Sequence, residues 1–296
     1  MSGWQNVREG SEATFSAGAD LGLKLCYRSG MAEPDSIQAR TLAAEAWAEV
    51  CEPLDLQLSP LGLRAVAALS PRPGEVIVDV GCGAGQTVLQ LAERVGPHGW
   101  VIGVDIAPSL LEVARCRAAD LSQVSFVAGD AQRLQLPEAT VDGVFSRFGV
   151  MAFADPVAAF ANFHRLMKPE GRLAFVCWRS LAENELDLLP LRAAGLEGQV
   201  DRTPFRFEDA AVVRATLAAA GFRQISIQPY DERVSSGDVD AMATVLLRVG
   251  PLGRIIREHP ELRRAAEPRV RAALAAVGDP SCVSLRAATW IVTAEA

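Results

Sequence analysis

Val76-Ile77-Val78-Asp79-Val80-Gly81-Cys82-Gly83-Ala84-Gly85-Gln86-Thr87 joins an apolar, β-branched run to glycines at every second position. The run predicts a buried strand, the glycines a sharp turn, and the amphipathic residues that follow a helix. Alternating glycines let the backbone bend tightly and let a ligand touch it without meeting a Cβ. A dinucleotide fingerprint, G-x-G-x-x-G, needs glycine where Gln86 stands, and a phosphate loop needs a G-K-[ST] ending that is absent. The pattern is D-x-G-x-G-x-G, which argues against a nicotinamide-dependent oxidoreductase.

Working outward, the chain from residue 71 alternates short apolar runs with amphipathic stretches, the βαβ texture of a parallel sheet. Strands are predicted over 75–80, 100–105, 124–128, 143–146 and 172–178, with helices over 84–95, 108–120 and 156–167. The second strand ends in Asp105, where a carboxylate can accept both ribose hydroxyls of a nucleoside. The third is followed by Gly129-Asp130-Ala131, in which a carboxylate suits an adenine amino group and a backbone N–H a ring nitrogen. Ligands of open α/β sheets bind at the carboxyl ends of strands, and all three elements fall there. Each has a bland alternative as well: Asp79 and the glycines as a packed turn, Asp105 as a helix cap, Asp130 as an Asx-turn.

With Asp79-Val80-Gly81-Cys82-Gly83-Ala84-Gly85, Gly103-Val104-Asp105-Ile106 and Gly129-Asp130-Ala131 in register, the sequence resembles the class I S-adenosylmethionine-dependent methyltransferases. It is most similar to the small-molecule branch that includes the menaquinone and ubiquinone C-methyltransferases. Val141-Asp142 to Phe148 and Lys168-Pro169-Glu170-Gly171 add to the likeness, with Glu170 replacing the first glycine of the usual Pro-Gly-Gly. The resemblance is firm over 61–178 and looser through 290. It implies an α/β, doubly wound, mostly parallel seven-stranded sheet whose last strand, over 285–293, inserts antiparallel beside the fifth. It also implies S-adenosyl-L-methionine as cofactor, bordered by Gly81, Cys82, Gly83 and Gly85 at its methionine part, with Asp79 on the amino group directly or through water. Asp105 and Ile106 would meet the ribose and adenine, Gly129, Asp130 and Ala131 the adenine, and Ser146 and Arg147 the floor beneath the sulfonium. Phe148 would face the acceptor.

The flanks complete the organisation. Residues 1–35 show no clean period and are expected to be a loose N-terminal segment, with Met31 a plausible alternative gene start. Residues 36–72 predict two helices with breaks at Pro53 and Pro60, a helical cap on a methyltransferase domain over 73–296. Within that domain, 181–205 is apolar but irregular and reads as a lid insertion. A helix over 208–220 ends at Gly221 before a strand over 224–230, and 236–282 reads as a helical insertion interrupted at Gly250-Pro251 and His259-Pro260. Trp47, Trp178 and Arg179 join Phe148 as candidates for an acceptor pocket, or else they are core and surface residues.

A chain of 296 residues, half of them hydrophobic and 22% charged, folds as a globule. With 29 basic against 36 acidic residues it is acidic overall, and the arginines between 254 and 271 alternate with glutamates, so no nucleic-acid face is expected. Six scattered cysteines without a C-x-x-C pair suggest no metal site and a reducing, cytoplasmic setting. No run of about 18 apolar residues predicts a membrane span. The expected partner is a small, partly apolar acceptor, and homodimerisation stays open. A sulfonium methyl is already electrophilic, so no protein nucleophile is needed, and none of His98, His164 and His259 stands out as a base. The alternatives are a non-catalytic cofactor-binding regulator of the same fold, or an arsenite, RNA or protein methyltransferase. The latter group would want converging thiols or a basic recognition face.

Overall fold

The computed structural model describes residues 12–16, 24–28 and 34–296. Strands β1 (Glu12–Ser16) and β2 (Lys24–Arg28) pair antiparallel in a sheet of their own; the expectation of a loose segment over 1–35 otherwise lies outside the described residues. Helices α1 (Pro34–Glu49) and α2 (Cys51–Leu69) follow. Next come β3 (Val76–Val80), α3 (Gln86–Val95), β4 (Trp100–Asp105), α4 (Pro108–Arg117), β5 (Val124–Ala128), β6 (Val141–Arg147), α5 (Pro156–Leu166) and β7 (Met167–Trp178). The last part holds α6 (Glu185–Ala194), α7 (Ala210–Ala219), β8 (Arg223–Gly237), α8 (Val239–Leu246), α9 (Gly250–Glu258), α10 (Arg263–Ala275) and β9 (Val283–Glu295).

Seven strands form one sheet in the order β5-β4-β3-β6-β7-β9-β8. The first five in that order run parallel, and β9 is antiparallel to both of its neighbours, as the resemblance implies. The chain leaves β3 toward β4 and β5, then returns to its other side with β6 and β7. The crevice at the carboxyl end of β3 is therefore the topological switch point, where open α/β sheets hold their ligands.

Both faces of the sheet are covered, which is why β3 is buried at every position and apolar at all but Asp79. One layer contains Leu54, Leu58, Leu61 and Leu69 of α2, Val88 and Leu91 of α3, and Met242, Leu246, Ile256 and Leu274 of the C-terminal helices. The other is aromatic: Phe160 of α5 touches Phe153, Phe163, Phe175, Phe207 and Phe222. Each large side chain so buried contributes about 1.5–3 kcal/mol relative to exposure.

The elements differ from their sequence expectation where tertiary contacts override local signals. Pro60 lies inside α2 instead of breaking it, while Pro53 occupies the first turn, where a missing N–H costs nothing. Residues 181–205, expected to be irregular, contain α6; it tolerates Pro190 because Leu186, Pro190 and Leu191 are all buried against the core. Glu170, in the position of the missing glycine, takes the left-handed conformation at φ +65, so the break in register near the start of β7 survives without glycine. The β8 and β9 strands outrun their predicted lengths. Their ladder continues to Gly237 and Val283, past the last β7 pair at Trp178 and Thr289, and presents α8 to α10 beyond that end of the sheet. Among the described residues no helix is long and apolar enough to cross a membrane.

Candidate functional site

The strand–turn–helix from β3 to α3 builds the floor. Gly81 and Cys82 donate their N–H groups to the Val104 carbonyl at 2.8 and 3.1 Å, which ties the turn to the end of β4. Gly81 adopts φ +71, and a Cβ there would lie 2.7 Å from the Gly149 Cα, so a larger residue would separate β3 from the turn after β6. Gly83 is different: at φ +54 it has nothing within 4 Å of where a Cβ would sit. It borders open space, a backbone surface that a ligand can approach. Gly85 caps α3 and packs against Ala114. The Cys82 side chain is buried beside Gly103, and burial pushes its thiol pKa well up, so it acts as filler and not as a nucleophile.

Three carboxylates lie at the carboxyl ends of β3, β4 and β5. Asp79 is fully buried; one oxygen accepts the Thr87 hydroxyl, while the other, Oδ1, has no hydrogen-bond partner. Burial pushes its pKa up to about 7, against the Thr87 hydrogen bond and the Arg147 charge, which lower it. An orphaned buried carboxylate oxygen is a place for a donor from outside the chain. Asp105 accepts from Gly83 N and Ala107 N, both at 2.9 Å, and its pKa is also raised by burial. Its neighbour Ile106 is an apolar side chain left 50% exposed. Asp130 caps the short 3-10 turn 131–133 through Gln132 N and also binds the Gln132 amide, while Gly129 and Ala131 are buried beside it. An unsatisfied buried acceptor, an open glycine and an exposed apolar side chain together fit a nucleoside with a cationic amino-acid arm.

The candidates from β6 and β7 divide. Ser146 is fully buried; its hydroxyl donates to the Val80 carbonyl at 2.7 Å and accepts from Gly149 N at 3.0 Å, so it clamps β6 to β3. Ser146→Ala is expected to lower the unfolding free energy by about 1–3 kcal/mol by orphaning those two backbone groups. Denaturant titration checks this, and an unchanged midpoint would contradict it. Phe148 occupies the left-handed region at φ +63, and its ring stacks on Trp178 with centroids 4.1 Å apart. A bulky residue held there is strained backbone beside the cleft. Arg179 is committed elsewhere, to Asp231 at 2.7 Å, to Glu183 and over the Trp290 ring. Trp47, on α1, is 37% exposed.

Sequence inspection missed a polar cluster from four separate elements. Asp55 of α2 pairs with Arg117 of α4 at 2.7 Å and with Arg147 at 3.3 Å. Arg117 also donates to the Ala84 carbonyl and to Cys51 Sγ, Arg147 to the Gln86 side chain, and Gln86 to the Asp55 carbonyl at 3.1 Å. Arg147 is thus oriented away from solvent, its pKa lowered by burial and supported by Asp55. Gln86 entered the sequence argument only as a glycine that was not there. Nothing in the spacing of Asp55, Arg117 and Arg147 marks them as partners.

Comparison with known proteins gives the family and the fold. Residues 71–197 match the family described as "Methyltransferase domain". The ubiquinone/menaquinone biosynthesis C-methyltransferase of Teredinibacter turnerae is 30% identical over 171 residues, 52% of this chain and 69% of that protein. Nocamycin O-methyltransferase of Saccharothrix syringae is 37% identical over 116 residues, 38% of this chain and 41% of its own length. The matched part spans about half the length of most of these curated relatives. Among solved structures, phosphoethanolamine N-methyltransferase 2 of Haemonchus contortus, in complex with phosphomonomethylethanolamine and S-adenosylhomocysteine, superposes with a TM-score of 0.57 at 17% identity, over 92% of this chain and 62% of that one. That likeness is one of fold.

Proposed function

Because the chain belongs to the class I S-adenosylmethionine-dependent methyltransferase family, we propose that it binds S-adenosyl-L-methionine at the turn 81–85 and transfers the methyl group to a small, partly apolar acceptor. The observation that carries this reading is the buried, unpartnered Oδ1 of Asp79 at the end of β3, taken with the open face of Gly83 in the turn that follows. Asp79 would hold the ammonium, Asp105 the ribose hydroxyls, and Ile106, Asp130 and Ala131 the adenine. When bound, the cofactor supplies an electrophilic methyl on a sulfonium.

The chain's own residues then have to orient and exclude water. Phe148 and Trp178, stacked and half-buried at the ends of β6 and β7, would form an apolar wall against the acceptor. The β8–β9 extension, with α8 to α10, would cover it. An aromatic, apolar enclosure suits a partly apolar acceptor. Relatives named for nocamycin, aklanonic acid and ubiquinone/menaquinone biosynthesis support that class.

Calorimetric titration with S-adenosylmethionine and S-adenosylhomocysteine is expected to give saturable micromolar binding near one site per chain. Transfer of labelled methyl to a panel of apolar phenols, quinols and hydroxy acids would then identify the acceptor. Binding of neither nucleoside would overturn the proposal. Tight binding with no transfer across the panel would favour a cofactor-sensing regulator.

A further inference from the structure

The cluster around Asp55 lies outside the cofactor contacts just proposed, yet it holds the end of the turn that makes them and the first residue of α3. Arg117 holds the Ala84 carbonyl at 3.2 Å, inside the glycine turn. Arg147 holds the side chain of Gln86, the first residue of α3, and Gln86 returns a hydrogen bond to the Asp55 carbonyl. Both guanidiniums meet on one carboxylate, Asp55, whose side chain is only 15% exposed. A second contact runs along the same seam one turn further on, from Gln90 of α3 to the Ser59 hydroxyl of α2 at 3.2 Å.

The seat for Arg147 is also built into α2. Gly62 lies two turns after Asp55 on the same helical face, and a Cβ there would stand 3.0 Å from the Arg147 Cδ. Glycine inside a helix is unfavourable, and here its absent side chain leaves the passage for the arginine stem.

We infer that Asp55 is the positioning residue that latches the N-terminal half of α2 onto the cofactor turn, so that the shape of residues 83–86 depends on how α2 is seated beside it. The inference rests on the cofactor reading for its consequence, slow cofactor exchange, but the latch itself is a property of the free protein. Without the carboxylate, two like charges remain side by side and partly shielded from water, which drives the elements apart. The groups facing this carboxylate are Arg117 from α4 and Arg147 from β6, with Cys51 Sγ on Arg117 and Asp79 acting electrostatically on Arg147.

The test compares wild type, Asp55→Asn, Asp55→Glu and Asp55→Asn combined with Arg117→Gln. Amide hydrogen exchange without added nucleoside is expected to rise about tenfold or more in residues 51–59 and 81–87 of Asp55→Asn, and not in α5 or β8. Dissociation of S-adenosylhomocysteine should accelerate by a similar factor. Asp55→Glu and the double variant should each recover part of the loss, because one restores the charge and the other removes the surplus cation. Unchanged exchange in both segments would overturn the latch, and so would an increase spread evenly over the whole chain. If Asp55→Asn fails to fold, Gly62→Ala keeps every charge and displaces only the arginine stem. A smaller increase in the same two segments then supports the latch, and none overturns it. Failure of the wild-type protein to bind S-adenosylhomocysteine would defeat the cofactor reading alone, since the exchange measurement decides the latch without it.

Discussion

Replacing Asp105 with alanine is expected to weaken S-adenosylmethionine binding by about 100-fold, with the fold retained. In the proposed complex the carboxylate accepts two ribose hydroxyls, and hydrogen bonds to a charged group are each worth about 1.5–3 kcal/mol. Even one such bond accounts for about a tenfold change. The side chain also fixes the turn itself through Gly83 N and Ala107 N, so alanine loosens the cradle as well as removing the ligand. Stability should change much less, because burial of this charge, which raises its pKa, is relieved at the same time. Asp105→Asn should fall between, since an amide oxygen can still accept at one position. Calorimetry measures the affinities and a thermal melt checks the fold. An affinity of Asp105→Ala within threefold of wild type would remove Asp105 from the site.

The second large effect is on pH. Cofactor affinity is expected to rise about tenfold per pH unit up to about 7 and then to level off, because Asp79 must be ionised to hold an ammonium. Burial holds its pKa at about 7, with the charge of Asp105 adding to the rise and the Thr87 hydroxyl and Arg147 opposing it. Stability of the free protein should run the other way. The folded pKa lies above the unfolded value of 3.8, so the contribution of Asp79 to stability is full below that value and is lost as pH rises through about 7. Asp187 of α6, likewise pushed up to about 7 by burial, adds to the same stability slope. Asp79→Asn separates the two: it should flatten the affinity profile while part of the stability slope remains. Titrations at pH 6 in buffers of different ionisation heat should report about one proton released on binding. An affinity constant across pH 5.5 to 8 would exclude Asp79 as the ammonium ligand.

How far these features could be read in advance follows the range of the forces that make them. The strand at 76–80, the glycine turn and the Asp105 and Gly129-Asp130 positions were legible because each depends on neighbours along the chain. The irregular reading of 181–205 misses α6 because Pro190 is a strong local helix breaker, and only burial of Leu186 and Leu191 against the core outweighs it. The sequence places Ser146 beneath the cofactor, but not its hydrogen bond from β6 to the Val80 carbonyl of β3, a partner 66 residues away. The partners of Arg179, Asp231 52 residues on and Glu183, follow only from the packing of the chain at the end of β7.

The sequence by itself determined the parallel α/β class, the positions of five strands along the chain and the placing of Asp79, Asp105 and Asp130 at three consecutive strand ends, because strand periodicity and glycine turns are local properties of the chain. The tertiary structure alone decided that Asp55, Gln86, Arg117 and Arg147 meet, that Asp79 keeps one oxygen unpaired, and that Phe148 lies against Trp178. Such contacts join residues tens of positions apart, where no spacing signals a partner. Charge pairing and desolvation act between whichever groups the packed sheet and helices bring together.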